Sequence, residues 1–370
     1  MTTHIIYNNF LTPDGNKMSI GGIQTYINNL IIVLQHLGHE IVIHQIANFD
    51  FHKTFNSYQI YGYKIPKNRK TNRNLILSAQ KNINQVKDLV IFGSETCAVK
   101  HLKCRTIGIQ HGIFWDKPEH MGCSEFRYNY IFFKKMVKAW LTIKRISNVS
   151  EIICVDYNFV NWYRSLVAYQ QVKTTVIPNF CKVPTSMPPK PNDSINIIFA
   201  RRFFPYRGTR ILTEALTKIL HEYPNVKLII AGEGPDENYL RKNFHNTATE
   251  FIKYKSEDSL LIHKDCHIAL IPTLGSEGTS LSLLEAMASG CTTICTNVGG
   301  MTNIILDHYN GIMITPDAES LYYAVKEVID NEKLRMYLSQ NAYITAKKGF
   351  NLSRWQKAWE KVILNTCQSI

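Results

Sequence analysis

The chain has 370 residues, 45% of them apolar and 19% charged, which is too much for one ordinary core and predicts two domains of a globular protein. No run of about 18 uncharged apolar residues occurs, so a membrane-spanning helix is excluded, and the opening "MTTHIIYNNF" lacks the basic and apolar regions of a signal peptide. The net charge of +13 comes entirely from residues 1–190, with 23 Lys+Arg against 10 Asp+Glu, because residues 191–370 hold 19 of each; such asymmetry turns the first half toward something anionic, a membrane surface or a nucleic acid.

In chain order, "HIIYNNF" is a strand-like run, followed by a polar loop that contains Gly21 and Gly22. Ile23, Ile27, Leu30, Ile31, Leu34 and Leu37 then recur at three and four, the apolar face of a helix that Gly38 ends. "HEIVIHQI" is the next strand, so the chain opens as a parallel α/β unit. "DLVIFGS", "RTIGIQHG" and "SEIICVD" continue the pattern, residues 158–167 supply a helix, and "VKTTVIPN" closes the half. The run Ile177–Ser194 holds five prolines and reads as a linker. The alternation restarts with "INIIFA", "RILTEALTKILHEYP", "VKLIIAG", "TEFIKY", "HIALIPT", "SLSLLEAMASG" and "CTTICTN". The final "NLSRWQKAWEKVILN" is helical, with Trp355, Trp359 and Ile363 four apart. The expected organisation is α/β throughout: one doubly wound domain over 1–180, a linker over 181–193, a second such domain over 194–350, and a C-terminal helix over 351–370 packing back on the first. Nine scattered cysteines without a CxxC pair favour a reducing cytoplasm over a disulfide framework or a zinc site.

In an open α/β sheet, ligands bind outside the carboxyl ends of the strands. Glu277 follows "HIALIPT" directly, and Gly278, Thr279, Ser280 and Leu281 lead into the next helix, whose first amides suit an anion. Glu285 stands eight positions on. Two carboxylates flanking a phosphate site make sense if each accepts sugar hydroxyls, one from a donor sugar and one from a ribose, so the spacing fits a nucleotide sugar. The plainer alternative is a capping box in "SLLE", with Ser282 as the cap and Glu285 reaching back. In "ARRFFPYRG", Arg202 and Arg207 follow a strand and can grip a diphosphate. His111 ends another strand, and Gly21–Gly22 allows close backbone approach. "AGEGPDENYL" lacks the third glycine of a dinucleotide fingerprint, so a dehydrogenase is excluded there.

Together "SEGTSLSLLEAMASG", "ARRFFPYRG", "AGEGP", "VIPNF" and "NVGGMTNII…NGIMITPD" resemble the family 4 retaining glycosyltransferases of GT-B fold. The match covers nearly all of the second domain and, in the first, mainly Gly21–Gly22 and His111. The resemblance implies two Rossmann-like domains facing a central cleft, the first binding the acceptor and the second the nucleotide sugar. It places Glu277 on donor-sugar hydroxyls, Glu285 on the ribose, Arg202 and Arg207 on the diphosphate, Gly21 and Gly22 beside it, and His111 near the donor sugar. Arg207 stands where the family usually has lysine, and Asn303 where it usually has glutamate.

The reaction so implied moves a sugar from a UDP- or GDP-linked donor to a hydroxyl of a glycan or lipid-linked acceptor, with retention, no metal and no further cofactor, in bacterial surface polysaccharide or glycolipid synthesis. Glu277→Ala and Arg202→Ala are expected to abolish transfer in a protein that stays folded. Residues 126–150 carry Arg127, Lys134, Lys135, Lys138, Lys144 and Arg145 and no acid, with Phe133, Met136, Val137, Trp140 and Ile143 on one helical face. That pattern fits equally an interfacial helix on the inner membrane face and a packed helix with solvated lysines. The remaining alternatives are a GT-B enzyme of other chemistry, an epimerase or hydrolase, and a basic nucleic-acid-binding protein; the resemblance argues for no nucleic-acid partner and for a cytoplasmic enzyme, peripheral on the membrane if the basic helix docks there.

Overall fold

The structure, a computed structural model, describes the chain except residues 20, 67, 69, 119–124, 168–171 and 369–370. Two compact units emerge: Met1–Gly112 with Ser124–Pro178 and Trp355–Ile370, and Ile113–Cys123 with Asn179–Arg354.

The first unit is built from β1 (Thr2–Ile6), α1 (Gly22–His36), β2 (Glu40–Ala47), β3 (Phe51–Phe55), β4 (Tyr58–Lys64), α2 (Thr71–Ala79), β5 (Leu89–Phe92), β6 (Arg105–Gln110), α3 (Glu125–Ile146), β7 (Glu151–Cys154), α4 (Tyr157–Leu166) and β8 (Lys173–Val176). Its sheet runs β3-β4-β2-β1-β5-β6-β7-β8, with every pairing parallel except β3 with β4. Chain order reverses between β1 and β5, because successive crossovers leave β1 in opposite directions. The apolar stripe expected on α1 is real, with Ile27, Leu30, Ile31 and Leu34 buried. The β3–β4 hairpin is an addition that sequence reading passed over: "FHKTF" and "YQIYGYK" carry polar residues on a half-exposed edge, and so lack the apolar run of a buried parallel strand.

The second unit contains β9 (Ile195–Ala200), α5 (Thr209–Glu222), β10 (Val226–Ala231), α6 (Glu237–Phe244), β11 (Thr249–Ile252), α7 (Ser259–His263), β12 (Ile268–Ile271), α8 (Leu281–Ala288), β13 (Thr292–Thr296), β14 (Ile312–Ile314), α9 (Ala318–Asp330) and α10 (Glu332–Gly349). Its six strands are all parallel in the order β11-β10-β9-β12-β13-β14, so the order reverses between β9 and β12. The central strands are apolar on both sides, as a sheet covered by two helix layers requires. Ile197 and Phe199 pack with Leu212, Leu216, Val325 and Val328, while Ile198 and Ala200 pack with Leu283, Leu284, Met287 and Ala346.

The last helix, α11 (Leu352–Gln368), returns to the first unit from Trp355 onward. Trp359 is fully buried and its indole N–H donates to the Tyr26 hydroxyl at 2.9 Å, while Arg105 donates to the carbonyls of Thr366 and Cys367 at 2.6 and 2.8 Å.

The proline-rich run is not a free linker. From Asn179 on it belongs to the second unit, where Tyr343 donates to the carbonyls of Pro184 and Thr185, and Lys190 donates to those of Lys264 and Ser289. Prolines suppress regular structure but leave carbonyls to be bonded, and neighbouring side chains satisfy them here. Among the described residues no helix is long and apolar enough to cross a membrane.

Candidate functional site

The site is assembled where chain order reverses in the second sheet. Arg201 follows β9, and Thr273 and Glu277 follow its neighbour β12. Such switch points are where open α/β sheets take their ligands. Glu277 is only 8% exposed. One of its oxygens, Oε2, accepts from Arg201 Nη2 at 2.6 Å, from Arg207 Nη1, and from the Thr273 hydroxyl at 3.3 Å. Arg201 also donates from Nη1 to the Thr273 hydroxyl. Burial by itself pushes the Glu277 carboxyl up, but the guanidiniums of Arg201 and then Arg207 outweigh it and hold the group below its ordinary value. It is therefore a carboxylate at neutral pH.

Backbone packing fixes both partners. The N–H of Arg201 donates to Ala231, and Gly232 sits against the Arg201 carbonyl at φ 136°, where a β-carbon would lie 2.1 Å from that oxygen. The glycine of "AGEG" is thus explained by close approach. Gly299 at φ 58° does the same for the Glu277 carbonyl, also at 2.1 Å, and the Gly300 N–H donates to that carbonyl at 3.1 Å. On the other side Ser276 holds a left-handed φ of 60°, its N–H bonded to Asp116 at 2.7 Å. Asn179, from "VIPNF", donates to the Thr279 carbonyl at 2.7 Å.

Ser280 caps α8: its hydroxyl oxygen accepts from the Leu283 N–H, and it also hydrogen-bonds the Glu277 side chain. Ser282, the cap in the capping-box alternative, lies inside the helix instead. The first-turn amides, which no helix satisfies internally, therefore begin beside Glu277, with Gly278, Thr279, Ser280 and Leu281 as the approach. Glu285, one side of α8 farther on, accepts from the Ser259 hydroxyl at 2.6 Å, and burial pushes its carboxyl up to about 7. The two glutamates thus differ in kind, one held ionised by guanidiniums and one poised near neutrality.

Of the paired arginines in "ARR", Arg201 turns inward to Glu277 and Arg202 is exposed. The sequence reading put Arg202 with Arg207 on a diphosphate; the arginine that joins Arg207 on Glu277 is Arg201, which that reading did not single out. Arg207, whose side chain is 22% exposed, does reach Glu277 and lies over the Tyr206 ring at 5.0 Å. Arg201, Thr273, Asp116 and Ser259 were missed. Asp116 and Ser259 have no motif around them and carry no signal until the fold brings them to a partner, while Arg201 and Thr273 lie in quoted segments whose other residues drew the assignment.

Gly21, Gly22 and His111 belong to the first unit. Gly21 precedes α1 and Gly22 begins it. His111 follows β6, and since a carbonyl only accepts, its Nε2–H donates to Gly93 at 2.9 Å. Burial pushes its pKa down to about 4, with the Gly93 bond opposing, so the imidazole is neutral with its lone pair on Nδ1. On α3, Ala139, Thr142, Ile143 and Ile146 are buried while Tyr128, Tyr130, Phe132, Phe133 and Trp140 are exposed, and Lys144 lies over the Trp140 ring at 5.1 Å. The single apolar face expected there is split: Ile143 is core, and Phe133 and Trp140 face solvent among the lysines. The side chain of Phe126 lies outside the described residues.

Among the described residues no three His, Cys, Asp or Glu side chains cluster to hold a metal ion. A cavity of about 780 Å³ in the second unit lies between the proline-rich run and the start of α10, and neither Glu277 nor Glu285 lines it.

Comparison with known proteins bears on this arrangement. Residues 186–345 match the family model "Glycosyl transferases group 1". An uncharacterized glycosyltransferase of Methanocaldococcus jannaschii is 26% identical over 273 residues, covering 70% of this chain and 68% of that protein. The phosphatidyl-myo-inositol mannosyltransferase of Mycolicibacterium smegmatis is 26% identical over 152 residues, covering 39% of this chain and 39% of that protein. Anabaena HepE, solved in complex with UDP, superposes with a TM-score of 0.74 at 14% identity over 99% of this chain and 100% of its own. The chain is therefore a glycosyltransferase of GT-B fold, and its residues 186–345 carry the group 1 match.

Proposed function

We propose that the enzyme transfers a sugar, with retention of anomeric configuration, from a nucleoside-diphosphate sugar to a hydroxyl of a glycan or lipid-linked acceptor. The single observation that carries this reading is Glu277, a buried carboxylate kept ionised at the foot of a capped helix and beside Arg207. Fixed charge of that kind suits a ligand with an anionic centre and hydroxyls on either flank. The UDP held by the Anabaena neighbour supports a uridine donor.

In this reading Arg207, Arg202 and the first-turn amides of α8 take the diphosphate, Glu277 takes donor-sugar hydroxyls and Glu285 the ribose. As the bond between the anomeric carbon and the departing phosphate oxygen breaks, negative charge grows on the diphosphate. Groups already aimed there stabilise it without reorganising, and losing one such donor typically costs about 10²-fold or more in rate. The acceptor oxygen attacks from the face the phosphate leaves, and its proton passes to that phosphate oxygen. No protein nucleophile and no metal enters these steps. His111, neutral with its N–H committed to Gly93, keeps a lone pair on Nδ1 and has no proton to give. The exposed aromatics and lysines of α3 support an acceptor presented at an anionic membrane surface.

A panel of UDP- and GDP-linked sugars, scored by thermal stabilisation, tests the donor, since a ligand that binds the native state raises its apparent stability. At least one is expected to raise the melting temperature of the wild type and less that of Arg207→Ala. No shift with any of them would overturn the reading.

A further inference from the structure

Two guanidiniums meet one oxygen of Glu277, and they are not equivalent. The Arg201 side chain is 4% exposed and is held at both ends, Nη1 on Thr273 and Nη2 on Glu277. The Arg207 side chain is 22% exposed and sits on a 3₁₀ turn, Pro205–Arg207. The backbone beneath Arg201 is locked by Gly232 and by the Ala231 carbonyl. One cation is thus built into the protein, and the other is at its edge.

We propose that Arg201 is the positioning residue for Glu277: it stays on Oε2 as the permanent counter-charge, so that Arg207 can move to a diphosphate while the carboxylate keeps one orientation toward the donor sugar. The proposal rests on the donor-binding reading above. Without a second cation, Arg207 could leave only by stranding a buried carboxylate, which is strongly unfavourable. With Arg201 in place the exchange replaces one Arg207 partner by another and leaves Glu277 ionised. Thr273 completes the device, because its hydroxyl accepts from Arg201 and donates to the same Oε2. Arg201 itself touches neither sugar nor phosphate in this scheme.

The surroundings give a pH signature. Among the described residues the titratable and charged groups near Glu277 include Arg201, Arg207, Asp116, which accepts from the adjacent Ser276 N–H, and, on β13, Cys295, whose thiol burial pushes up to about 12. Tyr254 faces Arg201 and Glu285, and burial pushes it up as well. Glu285 titrates near neutrality, yet it is assigned to the ribose, which nucleoside diphosphate and nucleotide sugar share, so it cancels in a comparison of the two.

The experiment measures dissociation constants for UDP and UDP-glucose, and for GDP and GDP-mannose, by calorimetry between pH 5.5 and 8, in the full-length wild type, Arg201→Gln and Arg201→Lys. The readout is the ratio of the nucleotide-sugar constant to the nucleoside-diphosphate constant. For the wild type the ratio is flat with pH. In Arg201→Gln it rises by about ten-fold or more, the worth of one hydrogen bond to a charged group, and most at low pH, where the less shielded Glu277 takes up a proton. The nucleoside-diphosphate constant itself also weakens, but by less than the nucleotide-sugar constant, because Arg207 is then held on Glu277 and is less available to the diphosphate. Arg201→Lys keeps a buried cation but cannot hold Thr273 and Glu277 together, so its ratio is intermediate and its pH profile flat. If Arg201→Gln does not fold, Thr273→Val, which frees the Arg201 fork while keeping its charge, is expected to raise the ratio in the same direction. An unchanged ratio in folded Arg201→Gln, or in Thr273→Val where that variant stands in, would overturn the proposal. So would an equal loss of nucleoside diphosphate and nucleotide sugar, which would mean that Arg201 acts on the diphosphate or the fold. A wild type that binds none of the four ligands would instead remove the donor-binding reading on which the proposal stands.

Discussion

Replacing Glu277 by Gln removes one charge and almost no volume, so its consequence can be worked from the site alone. The change leaves Arg201, 6% exposed as a residue, without an anion, and sets two guanidiniums facing each other. Unit charges 4 Å apart interact by about 4 kcal/mol at an effective dielectric near 20, and cutting one partner from a buried pair costs about 3–5 kcal/mol. The retained amide can still accept from Thr273 or Arg201, which places the expected loss at the lower end, ~3 kcal/mol. Arg201→Met, in contrast, leaves Glu277 paired with Arg207 and therefore costs less than Glu277→Gln. Joined in one chain, the two substitutions remove the buried charge altogether, and the double variant is expected to be more stable than Glu277→Gln alone. Urea unfolding at pH 7 gives the free energies, and hydrogen exchange places the loss in β9, β12 and α8 of the second unit. A Glu277→Gln variant within 1 kcal/mol of the wild type, or a double variant no better than the single, would refute the claim that this pair carries the charge balance of the site. The same reasoning changes the sequence expectation that Glu277→Ala loses transfer in an undisturbed fold: it strands Arg201 as well, so its activity is interpretable only beside its stability.

Gly299→Ala should destabilise the second unit by more than 1 kcal/mol, since it adds a β-carbon 2.1 Å from the Glu277 carbonyl at φ 58°; a melting temperature equal to the wild type would count against the packing. Glu285, raised to about 7, ionises as pH rises through neutrality. If it holds a ribose, UDP affinity strengthens from pH 6 to 8, the slope vanishes in Glu285→Gln, and Ser259→Ala, by removing a bond that favours the ionised form, shifts it to higher pH. Binding titrations check all three. Because Glu285 has a raised folded pKa, it favours the folded state below about 4.5 and loses that advantage as pH climbs through 7, the opposite of its effect on binding. Transfer should persist in excess chelator, and its complete loss there would reject a metal-free reaction. Wild-type protein should sediment with anionic vesicles at low salt, and much less after Lys134, Lys138 and Lys144 are changed to Gln; no sedimentation of the wild type at low salt would remove the membrane surface from the proposal.

How much of this was written in the sequence depends on the kind of signal. Parallel strands buried on both faces announce themselves as apolar runs, so β9, β10, β12 and β13 were legible, and so was the amphipathic α1. The edge hairpin of β3 and β4 was not, because its exposed and half-buried positions break any apolar run. Motif reading found segments rather than side chains. It marked "ARRFFPYRG", "AGEGP", "SEGTSLSLLE", "VIPNF" and "NVGG", and these segments touch one another around Glu277: Gly232 against Arg201, Gly299 against Glu277, Asn179 against Thr279. Convergence of that sort gives the five short patterns one structural role, the backbone support of the Glu277 site. Within a segment the reading failed where neighbours were chemically alike. Nothing in "ARR" distinguishes the arginine that turns toward Thr273 from the one that faces solvent; that choice is made by the Ala231 carbonyl and the bare α-carbon of Gly232, about thirty residues away in the chain. The same holds for protonation. Two glutamates eight residues apart look interchangeable, yet two guanidiniums keep Glu277 ionised, while Glu285, with only the Ser259 hydroxyl to set against burial, rises to about 7. Their division of labour is a property of what the fold places beside them, and it is the part of the site that no spacing rule could have supplied.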